Sequence, residues 1–108
     1  MPEYEITPAV ENDLLEIALY TLNEWGLDQM ILYQNAFEKH FKGIGQLRVR
    51  LISVLKDWPE LQMSRCEHHY VFSLRRLDDC PLIFAVFHEV RDLMIRVQER
   101  IEDDGIAP

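Results

Sequence analysis

Apolar positions in this chain switch between two spacings, and each switch marks a new element. Tyr4 and Ile6 flank a charged residue with a period of two, as expected of a short half-buried strand over Glu3 to Thr7. Thr7 followed by Pro8 then starts a helix, since a hydroxyl caps free amides and proline costs nothing at the first helical position. Glu11 and Asp13 in the first turn suit the helix dipole. Val10, Leu14, Ile17, Ala18, Thr21 and Trp25 keep a three-and-four spacing, and Leu15, Leu19 and Leu22 add a second stripe. This helix is therefore expected to face both a sheet and another helix, and to stop at Gly26. Asp28 is placed to cap a second helix with Met30, Tyr33, Phe37, His40, Phe41 and Ile44 on its stripe, ending at Gly43 to Gly45. So short a link between two helices predicts an antiparallel helical hairpin.

The pattern weakens from Gln46 to Glu60, where Leu47, Val49, Leu51 and Leu55 alternate loosely and Trp58-Pro59 reads as a break. That segment is expected to be a connection with a short helix or an edge strand. A strand can begin at Leu61, Met63 and Arg65. From His69 to Arg75 alternation returns with both faces at least partly covered. Leu82 to Phe87 is continuously apolar, which marks a strand covered on both sides and lying inside its sheet. Asp78, Asp79 and Pro81 separate these two strands into a hairpin. A last helix from about Arg91 carries Val90, Leu93, Met94, Val97 and Ile101 inward, with Arg96 and Arg100 outward, before an acidic tail (102–108) expected to fray. The order predicts one α+β domain over residues 1–108: an N-terminal strand and antiparallel helical hairpin on an antiparallel sheet, then a C-terminal helix.

Composition narrows the function. The formal net charge of -8 provides no basic footprint for gripping phosphates, so direct sequence-specific nucleic-acid binding is not expected. Such acidity fits a protein partner with a basic segment. No stretch has the apolar length of a membrane span, and the N-terminus has no secretory core, so the chain is expected in the cytoplasm with Cys66 and Cys80 as free thiols.

Candidate chemistry is sparse. His68, His69 and His88 form the only cluster able to move protons near neutral pH, and the pleat lets at most one of His68 and His69 share a face with His88. A structural role for them is the simpler reading. Cys66, His68 and Cys80 or His88 match no standard zinc spacing, and no cofactor signature is present. Arg75 and Arg76 either steady a phosphate or pair with neighbouring acids in solvent. Trp58, Leu61 and Met63, large apolar residues in a weakly patterned segment, are candidate partner anchors, with ordinary core packing as the alternative.

Several pieces fall in a telling order. They are Tyr4-x-Ile6-Thr7-x-Ala9, Asp13-Leu14-x-x-Ile17-x-x-Tyr20-Thr21, Trp25-Gly26, Tyr33, His69-Tyr70-Val71-Phe72 and Ala85-Val86-Phe87-His88-Glu89-x-Arg91-Asp92-Leu93. In that order the chain resembles ParE-type toxins of the RelE/ParE superfamily, from about Tyr4 to Val97. The resemblance implies a bacterial type II toxin held by a cognate ParD-like antitoxin in a hetero-oligomer, with DNA gyrase as its target. RelE-like relatives instead cleave messenger RNA in the ribosome with basic residues and often a C-terminal tyrosine. This chain has no tyrosine after Tyr70 and ends acidic, so the resemblance favours the ParE branch. A ribonuclease would use His69 or His88 as base with Arg91, Arg75 or Arg76 on the phosphate. A non-toxic relic that only binds an antitoxin is a further alternative.

Overall fold

The computed structural model describes residues 3–88 and 92–107. In chain order these form β1 (Glu5–Ile6), α1 (Pro8–Trp25), α2 (Leu27–Gly45), β2 (Ile52–Leu55), β3 (Trp58–Cys66), β4 (His69–Leu74), β5 (Leu82–His88) and α3 (Leu93–Asp103). The strands make one five-stranded sheet in the order β1-β5-β4-β3-β2. It is mixed: β1 runs parallel to β5, and every other pair is antiparallel.

The helix starts follow the local chemistry. Thr7 Oγ1 accepts from the Val10 amide at 3.2 Å with Pro8 in the first turn, as the sequence requires. Gly26 alone joins α1 to α2 at φ 94°, so α2 begins before Asp28, which lies in its first turn and does not cap it. The hairpin covers one sheet face, where Val10, Phe37, Phe41 and Ile44 meet Val71, Ile83 and Val86. Leu15, Leu19 and Leu22 do not bury a second stripe as expected. They stay 56%, 57% and 41% exposed on the outer surface, because Leu14 and Ile17 already supply the inward face. On the other sheet face α3 packs Val97, Leu93 and Ile101 against Phe72, Phe84, Ala85 and Phe87.

The weakly patterned stretch resolves into an edge strand and the start of a long strand. Trp58-Pro59 opens β3 rather than breaking it. Between the pairs Ser53–Gln62 and Leu55–Trp58, β2 has only Val54 where β3 has Pro59, Glu60 and Leu61. Proline cannot donate to a ladder, and this irregularity removes the need for it to do so.

A second irregularity shapes β5. Phe72 pairs with Ala85 and Ser73 with Ile83, so Phe84 is an extra residue. Phe84 and Ala85 therefore both join the α3-side core, while Ile83 and Val86 face the hairpin. The bulge also switches which backbone groups point to the outer edge. Before it, the Pro81 and Ile83 carbonyls accept from Glu5 and Thr7 amides. After it, the Val86 amide and Phe84 carbonyl point outward and are met by Asp13 and Arg100.

Candidate functional site

Three places on the molecule gather the residues the sequence singled out. The first is an apolar groove of about 690 Å³ between β2–β3 and α3, walled by Val54, Leu55, Trp58, Met94 and Ile95 with Leu61 also lining it. Trp58 and Leu61, three residues apart across the β2–β3 irregularity that interrupts the alternation, both pack on the α3 side, where Trp58 is 9% and Leu61 0% exposed. Met63 is half-buried against the same core. Met94 and Ile95 on α3 and Leu55 on β2 remain 42%, 56% and 42% exposed, so the groove presents apolar surface from both sides. Its far end carries Gln98 and Glu102.

The second place is a cavity of about 560 Å³ between α1 and the His69 end of the sheet, lined by Glu16, Tyr20, Trp25, Tyr33, Arg96 and all three clustered histidines. Here the register does what the sequence could not specify. His69 and His88 stand directly opposite each other in the β4–β5 ladder, with ring centres 5.2 Å apart and planes at 80°. His68 belongs to the two-residue β3–β4 turn, where Glu67 takes φ 54°, and is exposed. His69 is buried between Tyr33 and Phe37 edges. Burial, then the neighbouring His88 and His68, push its pKa down to about 4, so it is neutral near pH 7. A fourth histidine, His40, bonds Ser64 Oγ at 2.8 Å under the hairpin, and burial lowers its pKa too.

The third place is the β4–β5 loop. Arg76 Nε donates to the Cys80 carbonyl at 2.8 Å, and its guanidinium lies 3.5 Å from Glu5 and 3.7 Å from Asp79. Arg76 thereby ties the loop to β1. Arg75 is exposed beside it. Glu5, Asp79 and Cys80 offer ligand atoms within 4.8 Å of one another, in an open acidic setting. Cys80 and Cys66 are free, and burial pushes the Cys66 thiol up to about 11, an unreactive protonated state.

Among the candidates for acid–base work, then, the fold brings His69 and His88 together and leaves Arg75 and Arg76 at the opposite end of β4. Six residues of extended chain separate His69 from Arg75, roughly 20 Å. Arg91 lies outside the described residues, as do Val90 and the expected start of the last helix near it.

Sequence reasoning missed the most highly bonded ion pair. Asp13 and Arg100 form a two-pronged pair, both bonds 2.8 Å, and Asp13 Oδ2 also accepts from the Val86 amide at 3.1 Å while Arg100 donates to the Phe84 carbonyl at 3.0 Å. Arg100 therefore faces inward, not outward, and its guanidinium also sits 5.0 Å from the Phe87 ring centre. Arg96 likewise folds over Phe87 at 4.5 Å. The signal was present: Asp13 falls three residues after Val10, and Arg100 three after Val97, both on buried stripes.

No family model matches the chain. A toxin ParE of Escherichia coli is 36% identical over 102 residues, covering 94% of this chain and 99% of that relative. The chain belongs to the ParE family of toxins.

Proposed function

We propose that this protein is the toxin of a type II toxin–antitoxin pair that works by binding, with DNA gyrase as the target once the antitoxin is gone. The observation that carries this reading is the near full-length similarity to a ParE toxin. Two features of the molecule support it. The histidines and the β4–β5 loop arginines stand apart, which suits a toxin without a phosphate-cleaving centre. The α3 groove offers exposed apolar side chains beside β2, the outer strand of the sheet, and suits a hydrophobic segment of the antitoxin. Glu102 in its lining, Asp103 and Asp104 just beyond and the net charge of -8 favour a basic segment there. Trp58 and Leu61 form its inner wall, with Met63 in the packing behind them. Arg75, whose amide bonds the Glu60 carbonyl at 2.9 Å beside Leu61, and Arg76 next to it are a second contact, for the acidic part of a partner.

The test is induced expression of the chain alone in a bacterial host, following growth, the SOS response and transcript integrity together. Growth arrest with SOS induction and intact transcripts is the expected result. Arrest with cleaved transcripts, abolished by His88→Ala in a folded protein, establishes the ribonuclease instead. Absence of arrest points to a relic that only binds an antitoxin. Co-expressed antitoxin is expected to protect wild type but to bind Ile95→Asp at least tenfold more weakly, since an exposed position on α3 can be changed without disturbing the core.

A further inference from the structure

We propose that His69 and His88 form a binding site for a divalent transition-metal ion of the zinc and nickel type. They are directly opposed on adjacent antiparallel strands, the position at which two side chains stand on one face at close range. Their ring centres are 5.2 Å apart. Metal–imidazole bonds of about 2.0–2.1 Å put an ion about 3.2 Å from each ring centre, and a tetrahedral angle then separates the centres by roughly 5.2 Å. The spacing of the pair is that of two ligands on one tetrahedral ion.

A second observation points the same way. His69 is 6% exposed, and its Nδ1 is fully buried with no hydrogen-bond partner among the described residues. Buried nitrogens without partners are rare in folded chains. Tyr33 and Phe37 hold the ring by edge contacts at 6.4 and 5.4 Å, so the ligand is already oriented. The adjoining cavity supplies room for water to complete the coordination. Imidazole donors select zinc, nickel or copper over magnesium and calcium. The bound ion would pin the last residue of β5 to the first of β4, beneath α2.

The experiment titrates chelator-stripped protein with Zn²⁺ and with Ni²⁺, reading binding by calorimetry and the unfolding temperature alongside. One ion per chain is expected, with a higher Tm and an affinity that weakens as pH falls. His88 is exposed, so His88→Gln keeps the fold, and it is expected to weaken binding at least tenfold. His69→Gln should do the same if it folds, whereas His40→Gln and Asp79→Asn should leave binding unchanged. No binding by wild type overturns the site, as does binding that survives His88→Gln or is lost in Asp79→Asn, which would move it to the Glu5–Asp79–Cys80 cluster.

Discussion

Asp13 replaces a neighbouring strand. Among the described residues, no strand lies beside the edge of β5 beyond the two residues of β1, and its Val86 amide and Phe84 carbonyl need partners in a largely apolar setting. A carboxylate from α1 and a guanidinium from α3 supply both, and they join the three elements. Replacing such a pair with apolar groups is often neutral, but removing one member leaves a charge without its partner. Asp13→Ala strands the Arg100 guanidinium and the Val86 amide at once. It is expected to cost about 3–5 kcal/mol in urea unfolding, with Arg100→Met costing less and the double variant well below the sum of the two.

At the scale of the element, the two helix ends show one device built with different residues. At the end of α3, Gly105 takes φ 65°, the Ile106 amide donates to Ile101 and the Gly105 amide to Glu102, and Ile106 packs on the core below. This closure holds the acidic tail through Ile106 where fraying was expected. At the end of α2 the same two bonds run from Arg48 to Gly43 and from Leu47 to Ile44, but the left-handed position is held by Leu47 at φ 58°, 80% exposed. A branched residue pays a steric penalty there that glycine avoids. Leu47→Gly is therefore expected to stabilise the protein by about 0.5–1 kcal/mol, and Gly105→Ala to destabilise it by about 1 kcal/mol, both read as shifts in urea midpoint. Local chemistry of this kind made the helices legible in sequence: Thr7-Pro8, Gly26 and the apolar stripes set α1 and α2 closely. The strand at Trp58 was illegible because the rule that proline breaks a ladder holds only for a regular register, and a bulge is a property of two strands. The His69–His88 pairing was hidden for the same reason, since nothing in either segment alone fixes their alignment.

The whole molecule is a sheet between two unequal apolar layers, and the histidines lie on the hairpin side. Burial lowers the pKa of both His69 and His40, in a layer that is mostly aromatic and aliphatic. In the unfolded chain each imidazole takes a proton near its ordinary value, about 6.5. For His69, between that value and about 4 the unfolded state binds more protons than the folded state, so stability falls as pH drops through this window, and the lowered pKa of His40 acts in the same direction. The loss from His69 alone is on the order of 3 kcal/mol. Opposing it, the excess of carboxylates repels itself less as acid neutralises it, but that relief comes mostly below pH 5, near the carboxylate pKa values. Between pH 7 and 5 the histidines dominate. The urea midpoint of metal-free protein is expected to fall steadily over that interval, and His69→Phe, which keeps a ring between Phe37 and Tyr33, is expected to flatten most of the slope. An unchanged slope in the folded His69→Phe variant would show that the acid sensitivity of the hairpin face arises elsewhere, with His40 against Ser64 the next group to replace.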